Sequence, residues 1–385
     1  MVSGTGRQNG ELYRFNNLVE LFRKAGRLAR DITAGIAAPG VAATEWRRRR
    51  LLILGYHGIA VDDEHLWDGT VYMPPDLFRR RLSILQKAKC AVLPLGTALH
   101  RLYEGTLPPR AVALVFDDGF HDFARVAAPL LSEFGYTATV YVSSYYAEFN
   151  RPIFDSMLNY LLWKGSDKSI SLPEVFAGQV RLDERGRRDV GMRVRATAFE
   201  GILSGRDKDR LLAKIAHALD IDYEHLCQKR LLHMMNAREV RQMKALGHDI
   251  QMHTHRHRVS RKREWFAREI HDNRRWIERE IGGARPVHLS FPGGVWQPVA
   301  REWLTELGVQ SATTCRPGLA DARSDRLRLP RFIDHAHVHE SAFRGWVAGS
   351  MSFLPKGSEV ATKGQILEET INVSGLETRV HAARA

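Results

Sequence analysis

Two groups of residues in this chain are of the types that do chemistry. Asp117 and Asp118 end the apolar run Ala111–Phe116 and precede Gly119. Such a run, closed by a glycine turn, predicts a short strand buried on both faces, as in a parallel sheet. The C-terminal end of such a strand is where α/β sheets and barrels place their reactive groups. Far along the chain, His253-Thr254-His255-Arg256-His257 follows a second short strand signal, Ile250–Met252. A four-residue spacing puts His253 and His257 on one face of a helical turn. Two imidazoles and one carboxylate from a separate strand end make a three-ligand set for a divalent metal. That set leaves a position open for water, which is the catalytic arrangement. Taken singly, Asp-Asp-Gly reads as an exposed turn capping a helix, and the histidine pair as a solvated helix face. Together they point to a site.

The residues around both groups resemble a known family. Ala113–Phe120 looks like the TFDDG motif, and His253–His257 like the H-[ST]-x-x-H motif, of polysaccharide deacetylases, the NodB-homology carbohydrate esterases. Leu54–Ile59 resembles the family's opening strand, and Pro129–Leu131 with Ala138–Val142 its following helix and strand. Leu246–Ile250 is similar to the segment that precedes the histidine motif. The resemblance runs over roughly residues 50–335, with an interruption.

What this resemblance implies is specific. The fold would be a distorted (β/α) barrel. Asp118, His253 and His257 would hold a divalent metal ion, zinc by expectation, which would lower the pKa of its water to about 7. Asp117 would be the general base for attack on an acetamide carbonyl. Ser290-Phe291-Pro292-Gly293-Gly294 sits where the family has its third motif, with Gly293 in place of a tyrosine whose backbone N–H contributes to the oxyanion hole. Trp296 reads either as a wall for a pyranose ring or as an interior aromatic. The arginine that orients the base is missing from the Pro292 motif. Arg331, at the end of a late strand, is its candidate replacement, with an ordinary surface arginine as the alternative. The general acid is not fixed: His57, His335, His337 and His339 are candidates that spacing does not separate, and His57 is the one placed in the cleft.

These residues need strands and helices to position them, and the chain supplies both in alternation. Strands are expected at Leu51–Leu54, Ala138–Val142, Val287–Phe291, Gln310–Thr314 and Leu327–Ile333, and helices at Pro75–Lys87, Phe123–Phe134, Arg263–Ile281 and Pro298–Leu307. This β/α order predicts parallel strands joined by right-handed crossovers. Residues 150–240 break the alternation with an Arg- and Lys-rich insertion, expected to be helical over Arg193–Leu203, Lys208–Ala218 and Glu224–Asn236. The insertion is read as a cap over the cleft or as a solvated excursion. The organisation expected is therefore an N-terminal segment 1–50, a catalytic domain 51–345 and a tail 346–385.

Composition narrows the function classes. With 385 residues and 44% hydrophobic content the chain can bury a full core. Three scattered cysteines, Cys90, Cys227 and Cys315, imply no disulfide framework. No apolar run approaches the ~20 residues that span a bilayer, and Met1–Gly10 lacks the apolar stretch of a secretory signal. A cytoplasmic location is expected. The net charge of +13 suggests an anionic partner. Leu18, Leu21, Phe22, Ala25, Leu28 and Ile32 recur at helical spacing among arginines, and Arg47–Arg50 follow. That pattern fits peripheral contact with an anionic membrane or a stripe packed on the domain. No recognition motif for nucleic acid is present. The reading is a metal-dependent hydrolase that removes N-acetyl groups from an amino-sugar glycan or its precursor. The competing readings are a deformylase or other amidase on the same fold, and a non-catalytic glycan- or membrane-binding protein derived from it.

Overall fold

The computed structural model describes residues 38–283 and 285–354, together with 26, 29 and 31–33. Its centre is an 8-stranded sheet. In chain order the strands are β1 (Leu52–Tyr56), β2 (Ala91–Val92), β3 (Ala111–Phe116), β4 (Thr139–Val142), β5 (Asp249–Met252), β6 (His288–Ser290), β7 (Ser311–Thr313) and β8 (Phe332–Ile333). Their order across the sheet is β7-β6-β5-β4-β3-β1-β8, with β2 paired to the start of β3. Every pairing is parallel. A parallel bridge from Thr313 to Leu329 joins the two ends, so the sheet curls into a distorted (β/α) barrel.

β1 and β3 are apolar because both faces are covered, whereas β5, β6 and β7 carry polar residues such as Gln251, His288 and Ser311. Along β1 and β3 alternate residues serve two cores. Leu52, Leu54, Tyr56, Val112, Leu114 and Phe116 join the larger cluster, with the helix Pro75–Lys87 and Phe123. Ile53, Ala111, Ala113 and Val115 join a smaller one with Tyr141, Leu329 and the helix Leu95–Glu104. Period-two alternation then sends Asp117 to the face of Ala113 and Val115, and Arg331 to the face of Leu329. Both faces belong to the smaller cluster, so the two side chains are aimed toward one another from elements more than 200 residues apart.

Pro75–Lys87 and Arg263–Ile281 fold as the periodicity predicts. Other segments differ. The helix expected at Phe123–Phe134 opens with a π-turn, Phe123–Ala127, before Ala128–Glu133. The helix expected at Glu224–Asn236 stops at Gln228. Beyond it Arg230 and Leu232 adopt left-handed backbone, and Met234 bridges to Phe120 while the Met235 N–H donates to the Gly119 carbonyl at 2.8 Å. Asn236 instead starts the next helix, Ala237–Ala245, through a capping box with Glu239. The insertion also holds a hairpin, Ser169–Ser171 with Gln179–Arg181, that no periodicity announced. The strand expected over Leu327–Ile333 is a 3-10 turn at Arg326–Arg328 followed by the short β8, because Pro330 cannot donate to a ladder. A further helix, Glu340–Ala348, stacks Trp346 on Phe332 at 4.8 Å.

The basic N-terminal stripe, apart from Ile32, and the tail from residue 355 lie outside the described residues. Arg47, read as part of a basic run, is buried: its guanidinium donates to the carbonyls of Val347, Arg50 and Ala111. Arg50 pairs with Asp321. Half of that run is therefore internal fastening. Among the described residues no helix is long and apolar enough to cross a membrane.

Candidate active site

The C-terminal ends of β1, β3, β5 and β6 converge on one place, and Arg331, which precedes β8 instead of ending a strand as expected, reaches it with its long side chain. The Asp117 N–H donates to the Tyr56 carbonyl at 2.9 Å, which extends the β3–β1 ladder by one residue and fixes the direction of the carboxylate. Asp118 follows with φ 68° and Gly119 with φ 80°. A short polar side chain tolerates that left-handed conformation, and the turn swings Asp118 out of the strand. At Gly119 a Cβ would lie 3.2 Å from the Val142 Cα, so the sharp turn and close packing both require glycine.

Asp117 and Arg331 are buried together, and the guanidinium forks onto both carboxylate oxygens at 2.7 and 2.6 Å. Arg331 Nε donates to the Thr314 carbonyl at 2.8 Å, which sets the plane of the fork. Burial by itself pushes the Asp117 carboxyl up; Arg331, His253 and His57 outweigh it and hold the pKa at about 2. Asp117 is thus an anion held in one orientation. His57, at the end of β1, places Nε2 3.8 Å from Asp117 Oδ2. Its Nδ1 is buried with no hydrogen-bond partner.

Asp118 Oδ1 lies 3.2 Å from His253 Nε2 and 3.1 Å from His257 Nε2. The helical turn that the four-residue spacing suggested is absent. Residues 253–258 form a loop in which Thr254 and His257 have left-handed φ of 62° and 56°, and this loop, not helix pitch, brings the rings to a centroid distance of 4.9 Å. The long helix Arg263–Ile281 clamps the loop. Asn273 accepts from the His253 N–H at 3.0 Å and donates to Val142 and Ser144, while Glu269 accepts from the N–H and side chain of Arg256. His255 points away, onto the Ser144 hydroxyl at 2.9 Å, and burial lowers its pKa to about 4. Sequence reasoning missed Asn273, Glu269 and Ser144, since each is an ordinary helix or strand-end residue until the fold brings it to the loop.

The donor set fits a divalent cation. Ligand atoms of Asp118, His253 and His257 all lie within 4.8 Å of one another. His253 Nδ1 is 2.8 Å from the Ser290 carbonyl, an acceptor only, so the ring proton belongs on Nδ1 and the Nε2 lone pair faces Asp118. A backbone carbonyl behind a histidine is the usual way of orienting it toward a metal. Asp118 Oδ1 is buried yet has no hydrogen bond of normal geometry. A carboxylate oxygen facing the lone pair of one imidazole and the Nε2 of a second is an arrangement that a cation completes.

The third motif lies close by. Pro292–Gly294 is a 3-10 turn with Gly293 at φ 61° and Gly294 at φ 71°. A Cβ on Gly294 would stand 2.8 Å from the Cys315 backbone nitrogen. The Gly294 N–H donates to the Phe291 carbonyl at 2.8 Å, so this residue serves the turn. Cys315 Sγ is 3.7 Å from Arg331 Nη2, which ties the turn to the Asp117–Arg331 pair. Trp296 is half-buried against the core with the Arg328 guanidinium 4.2 Å above its ring, so one face is already covered. Of the late histidines, His339 caps the helix Glu340–Ala348. His335 is lowered to about 4 by burial, then by His337 and His57.

Comparison with known proteins gives a family for part of the chain. Residues 223–312 match the family model described as Polysaccharide deacetylase, a span that contains both histidines, β5, β6 and the start of β7. No curated protein matches the sequence. Among solved structures, the Streptococcus pyogenes deacetylase PplD in complex with acetate is 17% identical, covering 75% of this chain and 93% of its own, with a TM-score of 0.49. A de-N-acetylase from Aggregatibacter actinomycetemcomitans is 14% identical, with 77% and 99% covered and a TM-score of 0.48. IcaB from Ammonifex degensii is 14% identical, with 78% and 97% covered and a TM-score of 0.47.

Proposed function

We propose that this chain, which carries a segment of the polysaccharide deacetylase family, removes N-acetyl groups from an amino-sugar-containing glycan or glycan precursor with the help of a divalent metal ion. The observation that carries the reading is the buried Asp117–Arg331 pair standing one residue from the Asp118, His253 and His257 donor set. A divalent cation there, zinc by the nature of its donors, supplies Lewis acidity and lowers the pKa of water to about 7. The chain's own residues do the rest. Asp117 takes the proton of the attacking water, and Arg331 keeps it ionised and aimed. As the carbon–nitrogen bond breaks, the leaving amine needs a proton, and we assign that role to His57, whose Nε2 lies 3.8 Å from Asp117. Gly293 and Gly294 shape the turn that faces the acyl oxygen.

Two assays on the full chain test this. Metal content is measured in wild type and Asp117→Asn, and acetate and formate release from N-acylated oligosaccharides is followed for both. The expected result is one metal in each protein, acetate as product, and a loss of about 10²–10⁴-fold in rate in the variant. Equal activity in Asp117→Asn removes the base; formate release in place of acetate makes the chain a deformylase. A cytoplasmic location with peripheral membrane contact through residues 1–50 is part of the same proposal. Its support is the net charge of +13. Equal sedimentation with anionic vesicles after removal of residues 1–37, which spares the buried Arg47, would end the membrane part.

A further inference from the structure

The insertion separates the two donor groups in sequence, and residues 229–236 return it to the barrel against the turn that carries Asp118. The His121 N–H donates to the His233 carbonyl and the Met235 N–H to the Gly119 carbonyl, both at 2.8 Å, on either side of the antiparallel bridge from Phe120 to Met234. From the barrel, the Ser143 N–H at the end of β4 donates to the Asp118 carbonyl at 3.0 Å. The left-handed turn is thus clasped between a strand end and the returning insertion. The return is itself constrained, since Arg230 and Leu232 hold φ of 54° and 56°. Long side chains keep that conformation only where the surroundings impose it.

Glu239 ties this return down. Its Oε1 accepts from the Arg230 guanidinium and from His121 Nδ1, the latter at 2.9 Å, and its Oε2 accepts from the Asn236 N–H at 2.9 Å. A carboxylate only accepts, so the His121 proton belongs on Nδ1. Arg230 Nη2 reaches on to the Met234 carbonyl at 2.8 Å. Side-chain exposure is 13% for His121 and 16% for both Glu239 and Arg230, so these contacts are largely shielded from water. Burial pushes the Glu239 carboxyl up; His121, Arg230 and the Asn236 N–H outweigh it and hold it at about 2. One shielded anion therefore joins residue 121, three places after Asp118, to both ends of the return. Glu239 also stands on the helix Ala237–Ala245, which leads into β5 and so to His253. The same carboxylate links the two arms of the donor set, and a satisfied network of this kind leaves little freedom between them.

We propose that Glu239 and Arg230 are positioning residues for the metal site: they lock the return of the insertion against the Asp118–Gly119 turn and so hold the Asp118 carboxylate where His253 and His257 can share a cation with it. This rests on the metal-dependent reading above and gives the insertion its part in it.

Two measurements on the full chain test it: zinc affinity, by competition with a chromophoric chelator, and hydrogen exchange of residues 117–123 in the metal-free protein. Arg230→Gln and Glu239→Gln are each expected to weaken zinc binding about 10–100-fold. Each should also speed exchange of residues 117–123 at least about tenfold while Ala111–Phe116 is unchanged. Asn236→Ala removes the helix cap and leaves the contacts among Arg230, His121 and Glu239. It is expected to lower the unfolding temperature and to keep the zinc affinity. Unchanged zinc affinity in both Arg230→Gln and Glu239→Gln overturns the inference. So does an equal fall in Asn236→Ala, which would make the effect a general loosening, and so does a wild type that binds no zinc. Acetate release from N-acetylated oligosaccharides is followed in parallel. Weaker zinc binding in the variants of a chain that releases no acetate leaves the positioning role standing and the deacetylase reading failed; acetate release with zinc affinity unchanged in the variants does the reverse.

Discussion

At the scale of single residues, the Asp117–Arg331 pair carries most of the weight. Each partner is buried, so each needs the other: an ion stranded out of water costs more than the pair returns. Arg331→Met is therefore expected to destabilise the fold by about 3–5 kcal/mol, because it leaves Asp117 buried and unpaired. Adding Asp117→Asn should recover part of that loss. Urea unfolding of the two variants against wild type measures both, and a double variant no more stable than the single would show that the cost lies in lost packing. Arg331 was legible as a candidate in the sequence, since a missing arginine in one motif calls for another. That it reaches Asp117 was not, because 214 residues separate them.

At the scale of elements, the histidine loop brings together the side chains that the spacing paired, through a local structure other than the one the spacing suggested. His253 and His257 meet at 4.9 Å, yet no helix turn joins them. Left-handed residues at 254 and 257 make the approach, and Asn273 on the long helix ties it to the end of β4, accepting from the His253 N–H and donating to Val142 and Ser144. Asn273→Ala is expected to weaken metal affinity by about 10–100-fold, the usual cost of losing support behind a ligand. Competition with a chelator reads this directly, and unchanged affinity would mean that the loop holds itself. The turn at Gly294 is a second test. Gly294→Ala places a Cβ 2.8 Å from the Cys315 backbone nitrogen at φ 71°, so a loss of at least about 1–3 kcal/mol in stability is expected by thermal unfolding.

At the scale of the whole molecule, buried neutral histidines set the acid limit of the fold. His248 Nδ1 accepts the Ala138 N–H at 3.1 Å, a bond that only the neutral ring can make. His233 sits in the crossing that returns the insertion to the barrel, with Nδ1 2.7 Å from the Leu231 carbonyl. Burial lowers both to about 4. Their folded pKa lies below the unfolded value near 6.5, so the unfolded chain binds protons that the folded one refuses. Stability from these groups is complete above about pH 6.5 and is lost as the pH falls toward 4, by up to about 3 kcal/mol for each. Denaturant titrations at a series of pH values should show this slope, and His248→Gln should remove about one proton's share of it. A stability flat between pH 6.5 and 4 would mean that these rings protonate in place.

The barrel was implied only by the family resemblance, while the sequence by itself determined the alternation of apolar strands and amphipathic helices and the residue types gathered at the strand ends. Those are local properties: burial on two faces demands continuous apolar runs, and helix faces repeat every 3.6 residues. It also showed the helices Pro75–Lys87 and Arg263–Ile281, whose apolar faces are long enough to be unambiguous. Only the tertiary structure decided that Arg331 forks onto Asp117, that His255 turns away while its neighbours face Asp118, and that His339 caps a helix. It also ended a helix at Gln228 and laid residues 229–236 against the Asp118 turn. These outcomes depend on which strand ends become neighbours when the sheet closes through Thr313 and Leu329. Closure is a long-range event, and no window of adjacent residues contains it.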